Sequence, residues 1–202
     1  MILGRNPLYK LWKGTIAKNL KRRRFDKMMS LVDLPKDRPV KVLEVGCANG
    51  KDFIQFAAEK NYEIWGVDIK EYDIEEKVNF QVADAANLPF DDKSFDVVVS
   101  VGLLEHIEPM EKLCEAIKEF ERVGKHLVHV VPSVSTFIEP HCAKIRFPLR
   151  LHRNMMSEQE GMPLHLNFFT EHTWTKFSGF NGCDIKRFYY LPPFIKNTVI
   201  YK

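Results

Sequence analysis

The sequence predicts an α/β protein with a doubly wound, mostly parallel seven-stranded sheet and helices on both faces. Three observations predict it. From Lys41 onward, strand-like and helix-like patterns alternate, as a parallel sheet with crossover helices requires. Two strand segments, Phe95-Asp96-Val97-Val98-Val99 and Leu127-Val128-His129-Val130-Val131, are almost continuous apolar runs, the pattern of strands covered on both faces. Finally, Val42-Leu43-Glu44-Val45 runs into a turn of small residues, Gly46-Cys47-Ala48-Asn49-Gly50, which opens onto a helical pattern. Such a turn lets a ligand approach the backbone and offers it free N–H groups and a positive helix end.

The elements follow in order. At 202 residues the chain can bury one substantial core. Leu8, Trp12, Ile16 and Leu20 recur every fourth residue, and Phe25, Met28, Met29 and Val32 continue that face, so Leu8 to Leu31 reads as a helix. Leu34-Pro35-Lys36-Asp37-Arg38-Pro39 is a linker. Residues 1–39 are thus a helical cap and linker, and 40–202 carry the sheet. Strands are expected at Lys41–Val45, Glu63–Asp68, Asn79–Ala83, Asp96–Val101 and His126–Val131. Helices are expected at Lys51–Lys60 and at Pro109–Val123, where Met110, Leu113, Ile117 and Phe120 share a face and Gly124 is the C-cap. Ser133 to Leu164, rich in Pro, His, Arg and Met, reads as an insertion with one short helix (about 133–164) lying over the ligand pocket. Phe168–Phe180 reads as helical, and Cys183–Leu191 with Phe194–Tyr201 as a closing antiparallel pair.

Composition narrows the class. The four cysteines are scattered, with no C-x-x-C pair or zinc spacing, so reduced thiols in a cytoplasmic protein are expected. No apolar run reaches the length of a membrane span, and the first residues have no secretory pattern. The net charge of +3 does not demand a nucleic-acid partner, and no aromatic interleaving or recognition motif points to one. The charge is uneven, however. Lys18, Lys21, Arg22, Arg23, Arg24 and Lys27 cluster on the first helix. They read as the polar face of a packed helix, as a surface for anionic headgroups or an acidic small substrate, which leaves peripheral membrane contact open, or as a contact for nucleic acid. No feature specifies an oligomeric state.

Spacing decides which nucleotide the turn serves. A dinucleotide fingerprint from Gly46 would need Gly at Ala48 and Lys51, and a P-loop needs one more residue between Gly46 and Gly50 and Ser or Thr at Asp52. What remains is an acid followed by G-x-A-x-G. In an open α/β sheet the ligand lies beyond the carboxyl ends of the strands. The second strand ends at Asp68, whose carboxylate can accept from both ribose hydroxyls. The third is followed by Asp84-Ala85, a carboxylate for an exocyclic amine and an N–H for a ring nitrogen. Next comes Asn87-Leu88-Pro89-Phe90-Asp91-Asp92-Lys93-Ser94-Phe95-Asp96-Val97-Val98-Val99-Ser100.

This ordered set, from about Val40 to Pro132, resembles the S-adenosylmethionine (SAM) dependent methyltransferases of Rossmann-like fold. The likeness is to the type 11 group that includes ubiquinone and menaquinone biosynthesis enzymes. That family usually has Gly at the position of Ala48. The resemblance implies SAM as cofactor, S-adenosylhomocysteine as product, and 40–202 as the SAM-binding domain. It places Glu44, Gly46, Cys47, Ala48 and Gly50 around the methionine part, Asp68 on the ribose, and Ile69 against the adenine. Asp84 and Ala85 would read the adenine edge, and Ser100 and Val101 would touch the cofactor from the fourth strand. Leu88-Pro89-Phe90 packs the loop.

Val101-Gly102-Leu103-Leu104-Glu105-His106-Ile107 then faces the transfer site. His106 is the candidate general base, with Glu105 beside it; the pair reads equally as a cap for the following helix. Related enzymes bind a divalent metal through E-x-x-E-H and a later His. Here Gly102 stands where the first acid belongs, so no metal is expected, although His165 could be the later His. Lys144, Arg146, Arg150 and Arg153 are either anion-recognising or solvated charge. The reading is methyl transfer from SAM to O, N or C of a small-molecule acceptor, which could be anionic or lipid-like. Its rivals are a non-catalytic partner or regulatory subunit that keeps the SAM fold, and an RNA methyltransferase.

Overall fold

The computed structural model describes residues 17–74, 77–133, 138–139, 144–145, 157–159, 162–164, 169–191 and 195–202. Its main sheet has seven strands: β1 (Val40–Val45), β2 (Tyr62–Asp68), β3 (Asn79–Val82), β4 (Phe95–Val101), β5 (Gly124–Pro132), β6 (Asp184–Leu191) and β7 (Ile195–Tyr201). Their order is β6-β7-β5-β4-β1-β2-β3. The first five strands are mutually parallel, with Val42 opposite Ile64 on one side and Val97 on the other. β7 runs antiparallel to both β5 and β6. The chain steps outward from β1 through β2 to β3, then returns to β4 and continues the other way. The crevice therefore opens beyond the carboxyl ends of β1 and β4, where the winding reverses.

Alternation along the strands divides the core between the two faces. Leu43, Val45, Val98, Leu127 and Val131 pack with Leu113, Ile117 and Phe120 of α3 (Met110–Val123; α1 and α2 follow below) and with Trp174 and Phe180. Val42, Ile64, Val97, Val99, Val128 and Val130 pack on the opposite face with Phe25, Met28, Phe53 and Phe56. Both faces are covered, which explains the unbroken apolar strands.

Two of the helices are shorter than their patterns suggest, while Pro109–Val123 is found as Met110–Val123. α1 is described over Ala17–Met29 and buries Arg24, Phe25, Met28 and Met29; the rest of the predicted Leu8–Leu31 helix before Ala17 lies outside the described residues. After β1 only Ile54–Ala57 is helical (α2), against the expected Lys51–Lys60. The reason is local. Gly50 has φ +70°, and the Glu44 carboxylate takes the Ile54 amide at 3.2 Å, fixing the helix start at Ile54. Phe168–Phe180 resolves into α4 (Glu171–Trp174) and a 3₁₀ turn at Ser178–Phe180. Thr170 caps α4, its hydroxyl accepting the Thr173 amide at 3.2 Å. Within the insertion, Ile138–Glu139 pairs with Lys144–Ile145 and Ser157–Gln159 with Met162–Leu164; no helix occurs among its described residues.

Two polar anchors hold the segments that lead into β4 and β1. Arg122 donates to the carbonyls of Leu88 and Phe90 at 3.0 and 2.7 Å, and to Glu119 and Asp92. Phe90 stands edge-on to Trp65 and Phe95, so Leu88-Pro89-Phe90 packs the loop. Next to Phe95, Arg38 donates two bonds of 2.6 and 2.7 Å to Asp96, tying the linker to β4. No helix among the described residues is long and apolar enough to cross a membrane.

Candidate active site

A cavity of about 260 Å³ lies beyond the carboxyl ends of β1, β2 and β3. Val45 and Gly46 form its floor, Asp68 and Ile69 one wall, and Ala83, Asp84 and Ala85 the next. Leu103, His106, Ile107, Glu108 and Lys112 close it from the segment between β4 and α3.

The floor depends on backbone conformation. Gly46 (φ +72°), Ala48 (φ 44°) and Gly50 (φ +70°) are all left-handed, which suits glycine and costs an L-residue about 1–2 kcal/mol. A Cβ on Gly46 would come within 2.7 Å of Leu103 Cδ1. The amides of this turn are engaged internally. Gly46 and Cys47 donate to the Val67 carbonyl (2.8 and 3.1 Å), Gly50 to Cys47 (2.8 Å), and Ala48 to Asp68 Oδ2 (2.9 Å). The expectation of free N–H groups and a positive helix end at the ligand is corrected here. The turn spends these amides on itself, and the four-residue α2 has little macrodipole to contribute. The floor is shaped for close approach and is no phosphate cradle.

The walls carry the recognising groups. Asp68 also accepts the Lys70 amide through Oδ1 at 3.2 Å. A carboxylate offers about four acceptor positions, so two stay available for vicinal hydroxyls. Ile69, 69% exposed, gives the cavity an apolar surface. Asp84 accepts the Ala86 amide through Oδ1 at 3.0 Å and pairs with Lys112 Nζ through Oδ2 at 2.6 Å. Hydrogen bonding from Lys112 holds the Asp84 carboxyl below its ordinary range. Cradle, hydroxyl acceptors, apolar surface and amine acceptor together fit an adenosyl group.

Of the other predicted residues, His106 alone among the described ones lines the cavity. Glu44 is fully buried on the α2 side. Burial, aided by nearby Asp52, raises its carboxyl well above the usual range, and the Ile54 amide only partly opposes this. Cys47 is buried behind the turn, and burial pushes its thiol up. Ser100 is completely buried, with Oγ 2.9 Å from His129 Nδ1; Val101 is half-buried. Ala48 and Gly50 shape the floor without lining the cavity. His106 is exposed on the 3₁₀ turn Leu104–His106 and lines the cavity, whereas Glu105 of that turn is buried. His165 lies outside the described residues, as do Arg146, Arg150 and Arg153. Lys112 belongs to no motif, whereas Leu103 lies in the Val101–Ile107 segment expected to face the site. The one available signal for Lys112 is its place in the first turn of the helix after β4, which faces the strand ends.

Of the six basic residues on α1, Lys18, Arg23 and Lys27 are exposed, and the other three pair with acids of the following elements. Lys21 and Arg24 reach Asp52 at 3.0 and 2.7 Å, and Arg22 reaches Glu59 at 2.6 Å. These three cations are the polar face of a packed helix.

The strand order and the crevice define a Rossmann-like fold with a nucleoside-sized site. A family model described as a methyltransferase domain matches residues 16–185, and the chain belongs to that family. Norajmaline N-methyltransferase of Rauvolfia serpentina is 31% identical over 107 residues, covering 47% of this chain and 36% of that protein. The O-methyltransferase resE of Aspergillus sclerotiorum is 28% identical over 123 residues, covering 55% and 45%. The chain thus matches less than half the length of these two curated relatives. Among solved structures, 1,6-didemethyltoxoflavin-N1-methyltransferase of Burkholderia thailandensis, crystallised with 1,6-didemethyltoxoflavin and S-adenosylhomocysteine, superposes with a TM-score of 0.62. At 16% identity, covering 95% of this chain and 79% of that one, this likeness establishes the fold.

Proposed function

We propose that the chain is a SAM-dependent methyltransferase acting at an O, N or C atom of a small molecule. The observation that carries the reading is the convergence of Asp68, Ile69 and Asp84 on one cavity floored by left-handed Gly46. Asp68 accepts the ribose hydroxyls, Ile69 packs on the base, and Asp84 with the Ala85 amide reads the base edge. Gly46 gives the methionine side room against the backbone, while Glu44, Cys47, Ala48 and Gly50 keep the turn in shape.

SAM supplies a methyl group on an activated sulfonium, so the protein's work is alignment and exclusion of water. Leu103 and Ile107 are the apolar side chains placed for that exclusion. His106 takes the proton from an acceptor O–H or N–H, since it alone of the Glu105–His106 pair lines the cavity. The insertion at 133–164, which follows β5, selects the acceptor, and residues 17–39 brace one face of the sheet. The relatives named for N- and O-methylation support a small-molecule acceptor. The internal pairing of Lys21, Arg22 and Arg24 argues against an RNA partner.

Isothermal calorimetry with S-adenosylhomocysteine tests the reading. Saturable binding that weakens strongly in Asp68→Ala is expected. A folded protein that binds neither SAM nor S-adenosylhomocysteine overturns it.

A further inference from the structure

Lys112 stands at the nucleoside end of the cavity without belonging to any cofactor motif. Its Nζ lies 2.6 Å from Asp84 Oδ2, and both side chains are partly open, at 36% and 42% exposure. An ion pair that exposed adds little to folding. The loop carrying Asp84 is already closed by backbone, the Asn87 amide donating to the Asp84 carbonyl at 2.9 Å. The pair's main consequence is therefore local. With Oδ1 on the Ala86 amide at 3.0 Å and Oδ2 on Lys112, the carboxylate plane is fixed between β3 and α3. Each oxygen keeps a further acceptor position.

We propose that Lys112 is a positioning and specificity-determining residue for the cofactor base, holding Asp84 as an oriented, ionised acceptor toward the cavity. The inference rests on the SAM reading above. A base that presents an exocyclic amine to this edge gains a charge-assisted hydrogen bond. A base that presents a carbonyl there meets a fixed carboxylate and is rejected. Without the ammonium, Asp84 becomes a free rotor anchored on one side. The amine-bearing ligand then loses its preorganised partner, and the carbonyl-bearing one escapes part of the repulsion.

The test compares S-adenosylhomocysteine with its deaminated analogue, S-inosylhomocysteine, by calorimetry on wild type, Lys112→Met and Lys112→Arg. Lys112→Met is expected to bind S-adenosylhomocysteine about three- to tenfold more weakly. Its preference over the inosine analogue shrinks by a similar factor, and Lys112→Arg restores both. A purely structural lysine would weaken the two ligands equally and leave their ratio unchanged, which overturns the proposal. So does unchanged or tighter S-adenosylhomocysteine binding in Lys112→Met, or an Arg variant no better than Met. Failure of wild type to bind S-adenosylhomocysteine overturns the underlying SAM reading instead, so the two failures are told apart.

Discussion

The Ala48 amide donates to Asp68 Oδ2 at 2.9 Å, so the carboxylate that ends β2 also holds the turn that ends β1. One side chain thus lines the cavity and sets the floor beneath it. Asp68→Ala removes both and is expected to weaken S-adenosylhomocysteine binding by tenfold or more, roughly the loss of one charge-assisted hydrogen bond. Asp68→Asn keeps an oxygen for Ala48 but offers two acceptor positions fewer, so its affinity should fall between those of wild type and Asp68→Ala. Calorimetry reads the order; equal losses in both variants contradict the double role.

Gly46 and Ala48 share a left-handed backbone, and exchanges at the two sites should have opposite signs. Gly46→Ala acquires φ strain of about 1–2 kcal/mol and a Cβ 2.7 Å from Leu103 Cδ1. Adding Leu103→Ala relieves the contact but not the φ strain, so urea denaturation should show the double variant still below wild type. Ala48→Gly removes a comparable strain and adds about 0.5–1 kcal/mol of unfolded-chain entropy. A net gain of up to about 1 kcal/mol is expected. A destabilised Ala48→Gly would show that the Ala methyl packs usefully.

Much of this arrangement was legible because it is written in local pattern. The five parallel strands were readable from apolar runs, within a residue or two at each end. Asp68 and Asp84 were readable because strand ends in a doubly wound sheet point at the crevice. Three things were hidden. The 51–60 segment has helical periodicity, but a carboxylate from another strand, Glu44, starts the helix late. Ser100 sits at the right strand end, yet its side chain turns into the core because His129 lies opposite it in the β4–β5 register. Lys112 acquires meaning only from Asp84, far away in sequence. Each depends on a contact between distant elements, and periodicity carries no information about those.

The α1 helix reaches the turn after β1 through charge. Arg24, almost fully buried, pairs with Asp52 at 2.7 Å, and Lys21 reaches the same carboxylate at 3.0 Å. Burial pushes the Asp52 carboxyl up, and the two cations more than offset it, leaving it below its ordinary range. A double-mutant cycle with Arg24→Met and Asp52→Asn should give a coupling of about 0.5–1 kcal/mol, modest because Asp52 is partly solvated. Additive losses would mean that the contact between α1 and the turn is carried by Phe25 against Phe53, 4.9 Å apart, rather than by the ion pair.

His129 gives the fold an acid-sensitive core. Its ring stacks on Phe120 at 5.0 Å and lies 5.4 Å from Phe180. Nδ1 is bonded to Ser100, and Nε2 has no hydrogen-bond partner among the described residues. Burial in this apolar stack lowers its pKa from 6.5 to about 3. The folded chain therefore keeps His129 neutral over a range where the unfolded chain protonates it. Its contribution is fully present above about pH 6.5 and is lost as pH falls, by about 1.4 kcal/mol per unit, until the folded group itself titrates. Between about pH 6.5 and 5.5 the wild type should lose about 1 kcal/mol, less than the full slope because the unfolded group is only half protonated at the start, relative to a Ser100→Ala, His129→Phe variant, which removes the titrating ring and its partner together. Urea unfolding at both pH values measures the difference, and parallel pH profiles for the two proteins would show that His129 is not held neutral in the fold.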